Sequence, residues 1–163
     1  MTTIPVRYSL LASSYDEKAR GTIRNDLDGR SLGGRIRKLA RTSMNDLTVK
    51  FACEAVRSGI PASIITFDSW FAVPHTISRL MKEAKLTVIA RLKTNSKQYY
   101  EYEGKMINIK TLYTMSKKRR GKSAWKVSVN VNLPIKDKNK IFERIPVKLV
   151  YLPNRANTKW FFR

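Results

Sequence analysis

Residues 43–92 read SMNDLTVKFACEAVRSGIPASIITFDSWFAVPHTISRLMKEAKLTVIARL, and no other stretch limits the fold so tightly. Leu47, Phe51, Ala52, Ala55 and Val56 recur at helical spacing on one face. Ser43 or Asn45 can cap that helix, and Gly59 with Pro61 ends it. The short run ASIITF, residues 62–67, is β-branched and ends on an aromatic, which predicts a buried strand. A second helix is expected over residues 74–84, burying Ile77, Leu80, Met81 and Ala84. LTVIARL, residues 86–92, predicts a further buried strand. Helix, strand, helix, strand in that order calls for a parallel α/β arrangement.

The flanks differ in character. IPVRYSLLAS, residues 4–13, predicts a strand, and the polar, charged residues 14–42 predict a loop with one helical turn at most. After KTNSKQ the signals are mostly of strands. YYEYEGKMINI predicts a hairpin turning at Glu103–Gly104. SAWKVSVNVNL alternates, with Trp125, Val127, Val129, Val131 and Leu133 on one face and Lys126, Ser128, Asn130 and Asn132 on the other. RIPVKLVYL and KWFFR flank PNRANT as another hairpin. The expected organisation is an α/β portion over residues 1–98 and a β-rich subdomain over 99–163.

At 163 residues the chain can bury a sizeable core. Lys and Arg number 33 against 12 Asp and Glu, a formal charge of +21. Self-repulsion on that scale favours an anionic partner, and counterion release makes nucleic acid the expected one. The densest basic runs are GGRIRKLAR, residues 33–41, and KKRRGK, residues 117–122. No apolar run approaches the roughly 20 residues that span a membrane, and no secretory leader pattern opens the chain, so the cytoplasm is the expected compartment. The lone Cys53 falls on an apolar helix side, as a buried structural thiol would.

One Cys and one His, His75, cannot make a zinc centre, and His75 fits a helix-start or surface role. SLGGR lacks the spacing and the Lys-Ser/Thr ending of a phosphate loop. The acids Asp16, Glu17, Asp26, Asp28, Asp46 and Glu54 stand in loops or on helix surfaces, Glu101 and Glu103 in a hairpin, and Asp137 and Glu143 in basic loops. Asp68 alone closes a strand, where open α/β sheets bind their ligands. Residue chemistry leaves two roles open for it, a metal ligand or a cap on the following turn.

The order of IPVRYSLLAS, the basic loop, GIPASIITFDSWFAVPHTI, LTVIARLKTNSKQYYEYEGK, LYTMSKKRRGK and VKLVYLPNRANTKWFFR resembles the DDE transposases of bacterial insertion sequences, of the insertion-sequence-four type. The likeness covers essentially the whole chain. Its most specific pieces are strand-Asp-Ser-Trp-Phe, the Pro-containing helix after it and the Asn-Arg…Lys-Trp hairpin. The resemblance implies an RNase H-like core, here incomplete, followed by a β-rich insertion. It also implies a site in which three acids hold two Mg²⁺ or Mn²⁺ ions and cut and rejoin DNA. Asp68 matches the family's second aspartate. Trp70 and Phe71 would pack or face DNA nearby, and Lys93, Lys117, Lys118, Arg119, Arg120 and Lys122 are candidate phosphate contacts by charge. The family's first aspartate would precede this chain and its final glutamate would follow it, and neither Asp16 nor Glu143 replaces them.

The leading expectation is therefore an internal piece of a transposase that binds DNA, insertion-sequence ends included, but is inactive alone and prone to self-association through exposed core edges. The alternative from another class is a non-enzymatic basic nucleic-acid-binding protein. A one-carboxylate nuclease ranks third.

Overall fold

A computed structural model describes residues 9, 11, 28–92, 98–116, 127–137, 140–153 and 160–162. The chain divides into two compact units, Met1–Pro61 and Ala62–Arg163. The strand expected over residues 4–13 falls outside the described residues, apart from two isolated positions.

The first unit holds two helices, α1 (Leu32–Ala40) and α2 (Met44–Arg57). The loop expected over residues 14–42 is thus corrected at its C-terminal end, where α1 runs for nine residues. Ser31 starts it, its side chain accepting a hydrogen bond from the Gly34 amide at 3.0 Å. Two glycines in the first turn hid this helix from a propensity reading. They are not equivalent. A Cβ on Gly34 would lie 2.5 Å from the Asp28 carbonyl oxygen, whereas one on Gly33 meets nothing within 4 Å. Gly33→Ala is expected to raise the stability of α1 by up to about 1 kcal/mol. Gly34→Ala should lower it by about 1–2 kcal/mol, because the Asp28–Ser31 capping turn must open. Thermal melts followed by circular dichroism check the opposite signs.

Ser43 caps α2, accepting from the Asp46 amide at 3.1 Å while its hydroxyl donates to the Asp46 carboxylate at 2.6 Å. The helix closes as a Schellman motif: the Gly59 amide donates to the Val56 carbonyl and the Ile60 amide to the Ala55 carbonyl. The buried face differs from the expected one. Leu47, Val49, Ala52 and Cys53 are buried, Phe51 and Ala55 are half-buried, and Val56 is exposed. A helix apolar on several sides leaves periodicity unable to choose among them. Cys53 is buried as expected.

The second unit opens with β1 (Ile64–Phe67), α3 (Pro74–Glu83) and β2 (Thr87–Ala90), and β1 pairs in parallel with β2 from Ile64↔Thr87 to Phe67↔Ala90. This is the expected strand–helix–strand unit. Its strands are not buried on both faces, however. Ile65, Phe67, Val88 and Ala90 are half-buried, while Ile64, Thr66, Thr87 and Ile89 face outward, Ile64 at 53% and Ile89 at 56% exposure. Continuous apolar runs predicted two covered faces; among the described residues only one is covered. On α3, Thr76, Ile77, Ser78 and Leu80 are buried and Ala84 follows them, whereas Met81 is exposed.

The remainder is a five-stranded sheet in the order β4-β3-β5-β6-β7, made of β3 (Tyr99–Tyr102), β4 (Lys105–Asn108), β5 (Val127–Asp137), β6 (Lys140–Pro153) and β7 (Trp160–Phe162). Glu103 and Gly104 both take positive φ, 49° and 74°, in the two-residue turn that joins β3 to β4. Val127, Val129, Val131 and Leu133 are buried, as the alternation requires, and Ser128 and Asn130 are exposed. Trp125 and Lys126 fall outside the described residues. The hairpin of β6 and β7 forms with Tyr151↔Phe162 in register.

A helix that the strand-rich reading overlooked, α4 (Ile109–Ser116), follows β4. The Asn108 side chain accepts from the Thr111 amide at 2.8 Å, and Ile109 and Leu112 enter the core with Tyr100, Ile135 and Tyr151. Asn followed by apolar residues at i+1 and i+4 was the available signal.

Candidate functional site

Asp68 stands immediately after β1, at its C-terminal end and ahead of α3. Its side chain is exposed. Oδ1 accepts from the Ser69 amide at 2.7 Å, and the Asp68 carbonyl accepts from the Phe71 amide at 3.1 Å. The turn-cap role left open by the residue chemistry is therefore realised by one carboxylate oxygen. Oδ2 makes no hydrogen bond or ion pair among the described residues. A parallel strand ending in a carboxylate, with a helix returning behind it, is how α/β sheets present acids to ligands.

The turn after Asp68 sends its two aromatics different ways. Phe71 is half-buried, its ring edge-on to Phe67 at 6.2 Å between centroids. Trp70 is 68% exposed, so of the two placements expected for these residues, packed or facing outward, Phe71 takes the first and the indole the second. Ser69 and Trp70 border a cleft of about 490 Å³ whose wall includes Pro74, Val88, Tyr100 and Lys148. The cleft lies within the second unit, between the β1–α3–β2 layer and the five-stranded sheet. Burial pushes the Tyr100 hydroxyl well above its ordinary range, and neighbouring Tyr151, itself pushed up to about 12 by burial, adds to the effect. Neither phenol ionises near neutral pH.

Several polar contacts fix α3, and with it the Asp68 turn, against the β5–β6 pair. The His75 Nε2–H donates to the Lys136 carbonyl at 3.0 Å, and its ring lies 5.7 Å from that of Phe142. One turn on, the Ser78 hydroxyl donates to Glu143 at 3.0 Å, and the Lys82 ammonium lies 2.6 Å from the same carboxylate. Glu143 therefore belongs to strand β6 and a structural clasp, not to a basic loop as expected. The hydrogen bond from Lys82 holds its carboxyl below the ordinary range; partial desolvation opposes this and the Ser78 hydroxyl supports it. The helix-start role expected of His75 is observed. Arg144 pairs with Glu101, reaching past β5 to β3.

Lys93, Lys117, Lys118, Arg119, Arg120 and Lys122 lie outside the described residues. Among the described residues no group of three or more His, Cys, Asp or Glu side chains could hold a metal. Asp68 supplies one hard oxygen donor of the kind Mg²⁺ or Mn²⁺ accepts. The described residues thus fit a single carboxylate ligand and do not build a two-metal centre. Among them, too, no helix is long and apolar enough to cross a membrane.

Trp70, Tyr100 and Lys148 were not singled out together by sequence reasoning, because their proximity arises from packing the sheet against the β1–α3–β2 layer. No protein-family model, curated protein or solved structure matches the chain.

Proposed function

We propose that this chain forms part of the catalytic region of a DDE transposase, binds DNA through its basic surface, and contributes Asp68 as one carboxylate ligand of the Mg²⁺ or Mn²⁺ ions used in strand cleavage and transfer. The observation that carries this reading is the position of Asp68: an exposed carboxylate with one unengaged oxygen, at the C-terminal end of a parallel strand, inside the Asp-Ser-Trp-Phe motif that resembles the family's. The charge of +21 supports the DNA partner. A divalent ion there would neutralise charge on a reacting phosphate. This chain's own part is to hold the carboxylate in place: the Ser69 amide orients it, and the clasp of His75, Ser78 and Lys82 on the β5–β6 pair fixes the helix behind it.

A second reading, a non-enzymatic nucleic-acid-binding protein, is favoured by the Ser69 amide bond, which gives Asp68 a complete structural role as a turn cap. Titration with Mn²⁺, followed by paramagnetic broadening of backbone amide signals, separates the two. The transposase reading expects selective broadening at residues 68–71, abolished in Asp68→Asn, and no metal-dependent nicking of DNA by the chain alone. Absence of selective broadening would leave the turn-cap reading standing. Metal-dependent nicking lost in Asp68→Asn would instead establish activity in the isolated chain.

A further inference from the structure

Arg35, Arg37, Lys38 and Arg41 are all exposed on and just after α1, and no Asp or Glu occurs among the nine residues of that helix. None of the four meets a carboxylate among the described residues; the nearby acid, Asp28, lies 4.0 Å from Arg30 instead. Arg37 and Arg41 are four apart, Arg35 and Lys38 three apart, as are Lys38 and Arg41, so like charges adjoin along the helix. Such pairs destabilise an isolated helix. The helix dipole accounts for cations in the last turn but not for Arg35 near the start. Leu32, Ile36, Leu39 and Ala40 take the opposite side, with Leu39 and Ala40 half-buried.

We infer that α1 docks on the sugar–phosphate backbone of duplex DNA, with Arg35, Arg37, Lys38 and Arg41 as its phosphate contacts. This rests on the DNA-binding reading above and gives it a surface. A helix of this length extends about 13 Å, enough to meet successive phosphates along one strand. Arginine forks suit phosphate oxygens, and contacts to phosphate carry no sequence information directly. An anionic membrane is the less suitable partner. Only Leu32 and Ile36 are exposed on the apolar side, and the helix has no aromatic residue to anchor in a headgroup layer.

The test measures affinity for a short DNA duplex across a salt series by fluorescence anisotropy. The variant carries Arg35→Gln, Arg37→Gln, Lys38→Gln and Arg41→Gln, which keeps good helix formers in place. A control of equal charge change carries Lys50→Gln, Lys105→Gln, Lys110→Gln and Lys140→Gln. The salt slope of the α1 variant is expected to fall by about 3–4, and that of the control by less than about 1. If the fourfold variant does not fold by circular dichroism, Arg37→Gln and Arg41→Gln singly carry the test, each lowering the slope by about 1. Equal changes in variant and control, or an unchanged slope in the α1 variant, overturn the inference while leaving DNA binding intact. Failure of the unmodified chain to bind duplex overturns both. Binding to phosphatidylserine vesicles that the α1 variant loses, with its DNA affinity unchanged, assigns the helix to membranes and overturns the inference as well.

Discussion

Raising monovalent salt from about 50 to about 200 mM is expected to weaken duplex DNA binding by about 10³–10⁵-fold, the behaviour of a protein that neutralises about six to ten phosphates. The reason is the excess of 33 Lys and Arg over 12 Asp and Glu in a chain of 163 residues. Each neutralised phosphate releases condensed counterions, and added salt removes that entropic gain. Anisotropy titrations at four or more salt concentrations measure the slope directly. A flat response would mean that the positive surface is merely solvated, and would count against every nucleic-acid reading of the chain. Asp68→Asn should leave the slope unchanged, since it removes no cation; that separates backbone binding from any role at the strand end.

The largest stability effect is expected from Leu112→Ala. Leu112 has no exposed surface and lies in the cluster with Tyr100, Ile135 and Tyr151. Truncation there removes transfer free energy and leaves a cavity, at a cost of about 2–5 kcal/mol. For a chain of this size that lowers the midpoint of thermal unfolding by about 4–20 °C. Ile89→Ala removes as much apolar bulk from an exposed strand position and should change stability by less than about 0.5 kcal/mol. Parallel melts of the two variants check the contrast. Similar losses in both would mean that the outward face of β1 and β2 is covered in solution.

Much of the architecture was legible because local chemistry states it. Ser43 and Gly59 bracket α2, Pro74 opens α3, Glu103–Gly104 turns the first hairpin, and alternation along β5 identifies its buried face. These signals act within a few residues, where backbone sterics and hydrogen bonding decide the outcome. The two missed helices fail for local reasons too. In α1 the glycines masked a Ser31 cap, and in α4 a short helix sat between strands whose residues outweighed it. Burial was less legible. Periodicity placed Leu47, Phe51, Ala52, Ala55 and Val56 inward on α2; Leu47 and Ala52 are buried, but Val56 is exposed and Val49 is buried instead, because a helix with apolar residues on several sides takes its orientation from its neighbours.

The candidate site divides in the same way. The position of Asp68 at a strand end follows from the apolar run before it and the turn residues after it, so the sequence by itself determined where that carboxylate stands along the chain. Tertiary structure decided what meets the turn and helix that follow it. Trp70 turns outward, Tyr100 and Lys148 join it in the cleft from strands more than 25 residues away, and Glu143 on β6 clasps Ser78 and Lys82 of α3. Contacts between residues distant in sequence depend on how layers pack, which no local pattern encodes. Only the tertiary structure decided that Glu143 and Glu101 serve the fold through Ser78, Lys82 and Arg144, whereas Oδ2 of Asp68 makes no hydrogen bond or ion pair among the described residues.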